Sequence, residues 1–201
     1  GGLEPLDAVL ECDVICLHTP LVRDGEWPTW QLIDASRIAR LRPHQVLISA
    51  GRGEVVDNAA LAWRLGQPQA PRVILDVWAG EPAIDRTLLE RVWLGTPHIA
   101  GYSLEGKVRG TWMLYEALCR HLQLPLAHTF EHLLPAPPLQ SLQFTPQVDV
   151  DDAVRTAVRA VYDVRRDACR LTRTLALDEQ ARIAAFDQLR RDYGVRREFS
   201  S

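Results

Sequence analysis

The amino-acid sequence predicts an α/β fold: a parallel sheet interleaved with helices, followed by a smaller C-terminal domain. Three observations predict it. Short apolar, β-rich runs recur at residues 14–17, 46–50 and 73–77. Helical patterns separate those runs, and strand–helix–strand alternation is the arrangement that parallel strands require. Beyond a proline-marked stretch at Pro125, Pro135, Pro137, Pro138 and Pro146 the texture changes, and helical rows take over.

Each element has a local reason. Residues 3–10 form a helical pattern before the first strand. The three β-rich runs are apolar through their middles, as expected for strands covered on both faces. Asp34 is a candidate N-cap for a helix carrying Ile38 and Leu41. Asp57 is another, for a helix carrying Leu61 and Leu65 that ends near Gly66. A short apolar approach at residues 92–94 precedes the segment that begins at Thr96. Residues 103–122 read as one longer amphipathic helix, with Leu104, Val108, Trp112, Tyr115, Leu118 and Leu122 on a single stripe. In the tail, Val154, Val158, Val161 and Arg165 form one helical row, opened by Asp149 or Asp151. Ile183, Phe186, Leu189 and Tyr193 form a second, opened by Asp178 and closed by Gly194. The expected division is residues 1–102, a connecting helix at 103–124, and a C-terminal domain at 125–201. Such a tail has little core of its own, and a second copy of it is a candidate partner.

Composition narrows the function classes. Of 201 residues, 47% are hydrophobic and 24% charged, with a formal net charge of -3, so no bulk attraction to nucleic acid is expected. Arg165-Arg166 and Arg190-Arg191 alternate with acids and read as solvated helix faces. Cys12, Cys16, Cys119 and Cys169 show no CxxC pair and no histidine at metal spacing. They are expected to be reduced and mostly buried, in a cytoplasmic protein that binds no metal. No apolar run is long enough to cross a membrane and no signal peptide is expected. A first residue of glycine rather than methionine suggests part of a longer chain.

In an open parallel sheet, ligands collect beyond the carboxyl ends of the strands. His18-Thr19-Pro20 follows the first strand, and Gly51-Arg52-Gly53 the second. Asp76 ends the third, with Trp78, Gly80, Glu81 and Pro82 just beyond, and Thr96-Pro97-His98-Ile99-Ala100-Gly101-Tyr102 comes after the last approach. An arginine, a glutamate and a histidine thus stand at successive strand ends, and these types suit hydride removal from a hydroxyacid. A histidine can take the hydroxyl proton as the hydride leaves the same carbon. A carboxylate on its other ring nitrogen fixes the tautomer, and an arginine can grip a carboxylate with two parallel bonds. From the residues alone the bland alternatives stay open: His98 as a satisfied strand-end histidine, Arg52 as a capping residue, Glu81 as a solvated loop acid.

Three segments resemble D-isomer-specific 2-hydroxyacid dehydrogenases: residues 46–57 (VLISAGRGEVVD), 75–82 (LDVWAGEP) and 96–101 (TPHIAG). The resemblance implies part of a doubly wound, Rossmann-type sheet that binds NAD. It implies that Arg52 binds substrate, Glu81 orients the base and His98 transfers the proton. It further implies cofactor contacts at Thr19, Gly51, Arg52, Asp76 and Gly101. Two departures stand out: Ser49 replaces a common Asn, and Gly51 a small polar residue, which loosens that loop.

Residues 25–30, 101–107 and 109–111 and the tail run 160–167 (AVYDVRRD) resemble the erythronate-4-phosphate dehydrogenase family more narrowly. That resemblance implies a phosphorylated hydroxyacid substrate contacted by Tyr102 and Arg52, and a small α+β tail that makes a homodimer. It implies no nucleic-acid or membrane partner. The family's Gly-x-Gly-x-x-Gly turn is not in these 201 residues, so the chain by itself is expected to be inactive. Other 2-hydroxyacid dehydrogenases, of the phosphoglycerate or glyoxylate/hydroxypyruvate type, remain open. So do a corepressor-like dimeric NAD(H)-sensing module and an interaction domain without a small-molecule site.

Overall fold

Aspartates start most of the helices that cover the sheet. In the computed structural model, which describes residues 2–194 and 196–198, the first helical turn is α1 (Leu6–Val9), shorter than expected because Pro5 stands at its N-cap. Strand β1 (Val14–Leu17) follows, then α2 (Ala35–Arg40), whose N-cap Asp34 accepts from the Arg37 N–H. Strand β2 (Val46–Ser49) leads through a 3-10 turn (Gly53–Val55) into α3 (Asn58–Leu65), capped by Asp57 through the Ala60 N–H and closed at Gly66. Strand β3 (Arg72–Leu75), α4 (Arg86–Arg91) with its Asp85 cap, and β4 (Leu94–Gly95) complete the sheet. Helix α5 (Leu104–Leu122) starts at Ser103 and ends on Gln123 in the left-handed conformation. The tail holds α6 (Val150–Val161), α7 (Val164–Arg173) and α8 (Glu179–Arg191).

The sheet is four-stranded, parallel and ordered β1-β2-β3-β4, so each connection steps to the neighbouring strand. Val14 pairs with Val46, Val46 with Arg72, and Ile74 with Leu94. Side chains alternate across a strand, and on one face Ile15, Leu17, Leu47, Val73 and Leu75 are buried. Ile33, Ile38, Leu61 and Leu88 from the connections seal that layer. The opposite face is thinner. Val14 and Cys16 on β1 are exposed, contrary to the expectation of strands covered on both faces, because no described element covers that face of β1.

The chain divides into two compact units, cut differently from the expected boundaries. The first comprises residues 1–99 and 165–192; the second, 100–164 and 193–201. Leu171 of α7 and Phe186 of α8 belong to the buried cluster of the sheet unit. Each contributes roughly 1.5–3 kcal/mol of apolar burial there. The row expected from Val154 to Arg165 is broken at Tyr162, which is extended and ends α6, and Arg165 begins the return to the first unit. Helix α8 stops at Arg191, short of Gly194.

In the second unit the polypeptide end is stitched to the start of α5. The Leu104 N–H donates to the Arg196 carbonyl (2.8 Å) and the Ser103 hydroxyl to Glu198 (2.7 Å). Arg197 donates to Glu105 (2.5 Å) and also to the Pro135 carbonyl. The expected α+β character of the tail amounts, among the described residues, to helices and one isolated bridge between Ser103 and Arg196. No described helix is long and apolar enough to cross a membrane.

Candidate functional site

The site is built where three strand ends of the first unit meet their loops. After β2, the chain passes close to the turn that follows β1. A Cβ on Gly51 would stand 2.7 Å from the Thr19 carbonyl oxygen, so only glycine permits the approach. This corrects the expectation of a loosened loop: Gly51 fits a tight packing rather than adding freedom. The Thr19 hydroxyl beside it is buried with no partner among the described residues. A buried, unpaired hydroxyl costs roughly 1–3 kcal/mol, and a polar ligand at the strand ends would relieve it. That fits a cofactor contact at Thr19.

Arg52 follows in extended conformation, exposed, its guanidinium donating to the Gly51 carbonyl (2.9 Å). Its loop is tied to the next one. A Cβ on Gly53 would lie 2.0 Å from the Trp78 carbonyl carbon. Asn58 spans the same gap: its amide NH2 donates to the Gly53 (3.1 Å) and Val56 (2.9 Å) carbonyls, and its oxygen accepts the Ala79 N–H (2.9 Å). The arginine loop and the loop that carries Glu81 therefore move as one piece.

Glu81 and His98 form the centre. Glu81 Oε1 accepts the Trp78 backbone N–H (2.8 Å), and Oε2 lies 2.7 Å from His98 Nδ1. Both side chains are largely covered, at 16% and 28% exposure, which leaves room for the far edge of the imidazole to meet a ligand. A carboxylate only accepts, so Nδ1 carries the proton and Nε2 keeps its lone pair. His98 sits at φ 55°, in the left-handed region, with its N–H donating to the Asp76 carbonyl (2.7 Å). The Asp76 carboxylate accepts from the Thr96 hydroxyl (2.5 Å) and the Ile99 N–H (2.8 Å).

Thus Asp76, Glu81 and His98 are assembled by direct bonds, and Arg52 is coupled to them through Asn58 and Gly53. Gly101 and Tyr102 belong to the second unit, where the Tyr102 ring meets Tyr193 edge-on at 5.6 Å and the Lys107 amine lies 4.3 Å from its centre. The sequence assigns no role to three contributors: Asn58, Trp78 and Thr96. Asn58 is the first residue of α3, directly after its Asp57 cap. Thr96 was in view only as the opening residue of a motif centred on His98.

Residues 3–100 match the family described as "D-isomer specific 2-hydroxyacid dehydrogenase, NAD binding domain". Residues 133–201 match a domain of unknown function, DUF3410. An erythronate-4-phosphate dehydrogenase from Marinobacter nauticus is 56% identical over 98% of this chain and 51% of its own length. Those from Hahella chejuensis and Pseudomonas putida are 50% and 48% identical, over 98% of this chain and 52% of their own lengths. The chain therefore spans about half the length of the curated relatives it matches.

Proposed function

We propose that the protein to which this chain contributes oxidises 4-phospho-D-erythronate to 2-oxo-3-hydroxy-4-phosphobutanoate with NAD, in pyridoxine and pyridoxal 5'-phosphate biosynthesis. The observation that carries the reading is the Glu81–His98 pair, 2.7 Å apart, with Nε2 left as the only basic ring position. Relatives of that name at 48–56% identity support the choice of substrate.

His98 Nε2 takes the proton of the substrate hydroxyl, and Glu81 balances the imidazolium that results. Arg52, free of any acid among the described residues, offers its planar fork to the substrate carboxylate. Thr19, Gly51, Arg52 and Asp76 lie at the strand ends where NAD would lie; the cofactor role of Gly101 and the substrate role of Tyr102 rest on the family resemblance alone. Bound NAD would supply the hydride acceptor: the carbinol carbon would give up its hydrogen with the electron pair, the oxygen its proton to His98 Nε2, and a ketone would result.

The exposed valine row of α6 (Val150, Val154, Val158, Val161) supports a homodimer through the C-terminal domain, residues 125–201 in this assignment. The unpaired cysteines are compatible with a cytoplasmic location, although Cys12, Cys16 and Cys169 are exposed rather than buried as expected.

The test is NADH formation by the full-length protein with 4-phospho-D-erythronate, 3-phospho-D-glycerate and D-glycerate as competing substrates. Preference for 4-phospho-D-erythronate is expected; equal or better turnover of another acid removes the assignment. His98→Asn is expected to lower turnover on the order of a hundredfold or more. Near-normal turnover in that variant removes His98 from the mechanism.

A further inference from the structure

We propose that Asn58 is a positioning residue for the proposed reaction: its side-chain amide clasps the arginine loop to the glutamate loop and so sets Arg52 against the Glu81–His98 pair. That role rests on the function proposed above; the geometry of the clasp does not.

The two loops meet backbone to backbone. A Cβ on Gly53 would lie 2.0 Å from the Trp78 carbonyl carbon, 2.1 Å from its oxygen and 2.4 Å from the Ala79 nitrogen. The Trp78–Ala79 peptide therefore lies directly against the Gly53 Cα. Each loop also closes on itself. In the arginine loop the Val55 N–H donates to the Arg52 carbonyl and the Val56 N–H to the Gly53 carbonyl, both at 3.2 Å. In the glutamate loop the Trp78 N–H donates to Glu81 (2.8 Å) and the Ala83 N–H to the Gly80 carbonyl (3.0 Å). Contact at a glycine offers no side chain to interlock, so packing limits how close the two peptides come and leaves sliding open. Directional bonds fix what packing leaves open. Among the described residues, the one hydrogen bond that joins positions 51–58 to positions 77–82 is from the Ala79 N–H to Asn58 Oδ1 (2.9 Å).

The chemistry of the gap calls for an amide. Asn58 Nδ2 donates to the Gly53 (3.1 Å) and Val56 (2.9 Å) carbonyls while Oδ1 takes the Ala79 N–H. A carboxylate has no proton to give those carbonyls, and an ammonium has no lone pair for the N–H; an amide supplies both. Nor is this side chain needed to start its helix, because Asp57 caps α3 through the Ala60 N–H (3.0 Å). The position of the clasp gives it a consequence. Arg52 directly precedes Gly53, and Glu81 follows Ala79 by two residues. Arg52 grips the substrate carboxylate from one loop, while the other loop holds the acid that orients His98. Without the clasp each group stays chemically intact: Glu81 keeps the Trp78 N–H and His98, and Arg52 keeps its planar fork. What is lost is their alignment, and misalignment of a bound substrate falls on kcat rather than on binding.

Two variants of the full-length protein test this. Asn58→Ala removes the clasp. Asn58→Asp keeps an acceptor for the Ala79 N–H and places an acid in the first turn of α3, where it favours the helix, but it cannot donate. In both, kcat is expected to fall on the order of tenfold with KM for the hydroxyacid changed by about threefold or less. The acid limb of the pH profile of kcat/KM should stay where it is, because the Glu81–His98 pair is untouched. Hydrogen exchange at the Ala79 amide should accelerate in Asn58→Ala. The aspartate variant carries the decision should the alanine variant fold poorly. Unchanged kcat in either folded variant overturns the proposal, as does an Ala79 amide that stays protected in Asn58→Ala. A shifted acid limb also overturns it, since Asn58 would then act on the proton-transfer pair itself. A raised KM with kcat kept would make Asn58 a support for binding alone and overturns it too. A parent that oxidises another hydroxyacid but not 4-phospho-D-erythronate removes the substrate assignment, and the same ratios on that acid still decide Asn58. A parent that oxidises no hydroxyacid removes the function and this role with it.

Discussion

The two units solve the problem of cohesion by opposite means. The sheet unit is held by an apolar layer in which Ile33, Leu47, Leu61, Val73, Leu88, Leu171 and Phe186 are completely covered. Among the described residues of the second unit, the only buried apolar side chain is Cys119. That unit is held instead by polar fastenings at the start of α5: the Ser103–Glu198 bond, the Arg196 guanidinium on the Ala100 carbonyl, and the covered Glu105–Arg197 ion pair. Its large apolar side chains, among them Leu114, Leu118, Val150 and Val154, lie outside. The difference teaches that a chain segment can be fixed locally by a few directional bonds while its apolar surface stays uncommitted. In the reading above, that surface is what a second copy covers.

Attacking the sheet unit's core gives the strongest contrast. Phe186→Ala is expected to destabilise the protein by about 3–5 kcal/mol in denaturant unfolding, because its ring is wholly enclosed. A loss below about 1 kcal/mol would mean that α8 does not belong to that core.

The fastening of the second unit comes next. Arg197→Met leaves Glu105 buried and unpaired, at a cost on the order of 3 kcal/mol. Its measure is loss of hydrogen-exchange protection at the Leu104 amide, which is bonded to Arg196. The same contact has a pH dependence of definite sign. Burial pushes the Glu105 carboxyl up, but the Arg197 hydrogen bond, the amides of Glu105 and Glu198 and the Arg197 charge together hold it below the ordinary carboxylate value. A lowered pKa stabilises at pH above the unfolded carboxylate range, and that stability is lost as pH falls through the folded value. Protection of the Leu104 amide should therefore decline in acid below that range. Glu105→Gln should abolish the dependence, and an unchanged profile in that variant would assign it to another group.

A surface substitution should separate assembly from folding. Val158→Asp is expected to convert the proposed dimer to monomer in light scattering while changing subunit stability by only about 0.5 kcal/mol. A parent that is already monomeric at micromolar concentration would remove the dimer. The smallest effect is chemical: an Ellman-type reagent should modify Cys12, Cys16 and Cys169 rapidly and Cys119 slowly, in line with their exposure. Equal rates would show that the cover over Cys119 opens readily.

Much of the fold was legible because its signals are local. An aspartate before an apolar helical row caps whatever helix forms there, and Asp34, Asp57, Asp149 and Asp178 each do so. The break between α6 and α7 was not legible, since the apolar rows on either side continue in phase and only Tyr162 and Asp163 interrupt them. The burial of the cysteines was misjudged for a related reason: Cys16 lies in an apolar run, but whether a strand face is covered depends on what packs above it. In the candidate site, His98, Glu81 and Arg52 were marked by residue type at strand ends. Asn58 and Thr96 carry no such mark, because an amide or a hydroxyl becomes informative only when its partners are known.

The sequence by itself determined the strands, most helix starts, the family resemblance and the three side chains with chemistry to offer. Those rest on neighbours within a few residues, where periodicity and capping act before any tertiary contact forms. Tertiary structure alone decided that Glu81 meets His98 across 17 positions and that Thr96 meets Asp76 across 20. It also decided that Leu171 and Phe186 return to the sheet rather than staying with the tail. The physical reason is range. A hydrogen bond of 2.7 Å or a buried ring depends on where distant segments come to rest, and that is set by packing summed over the whole layer.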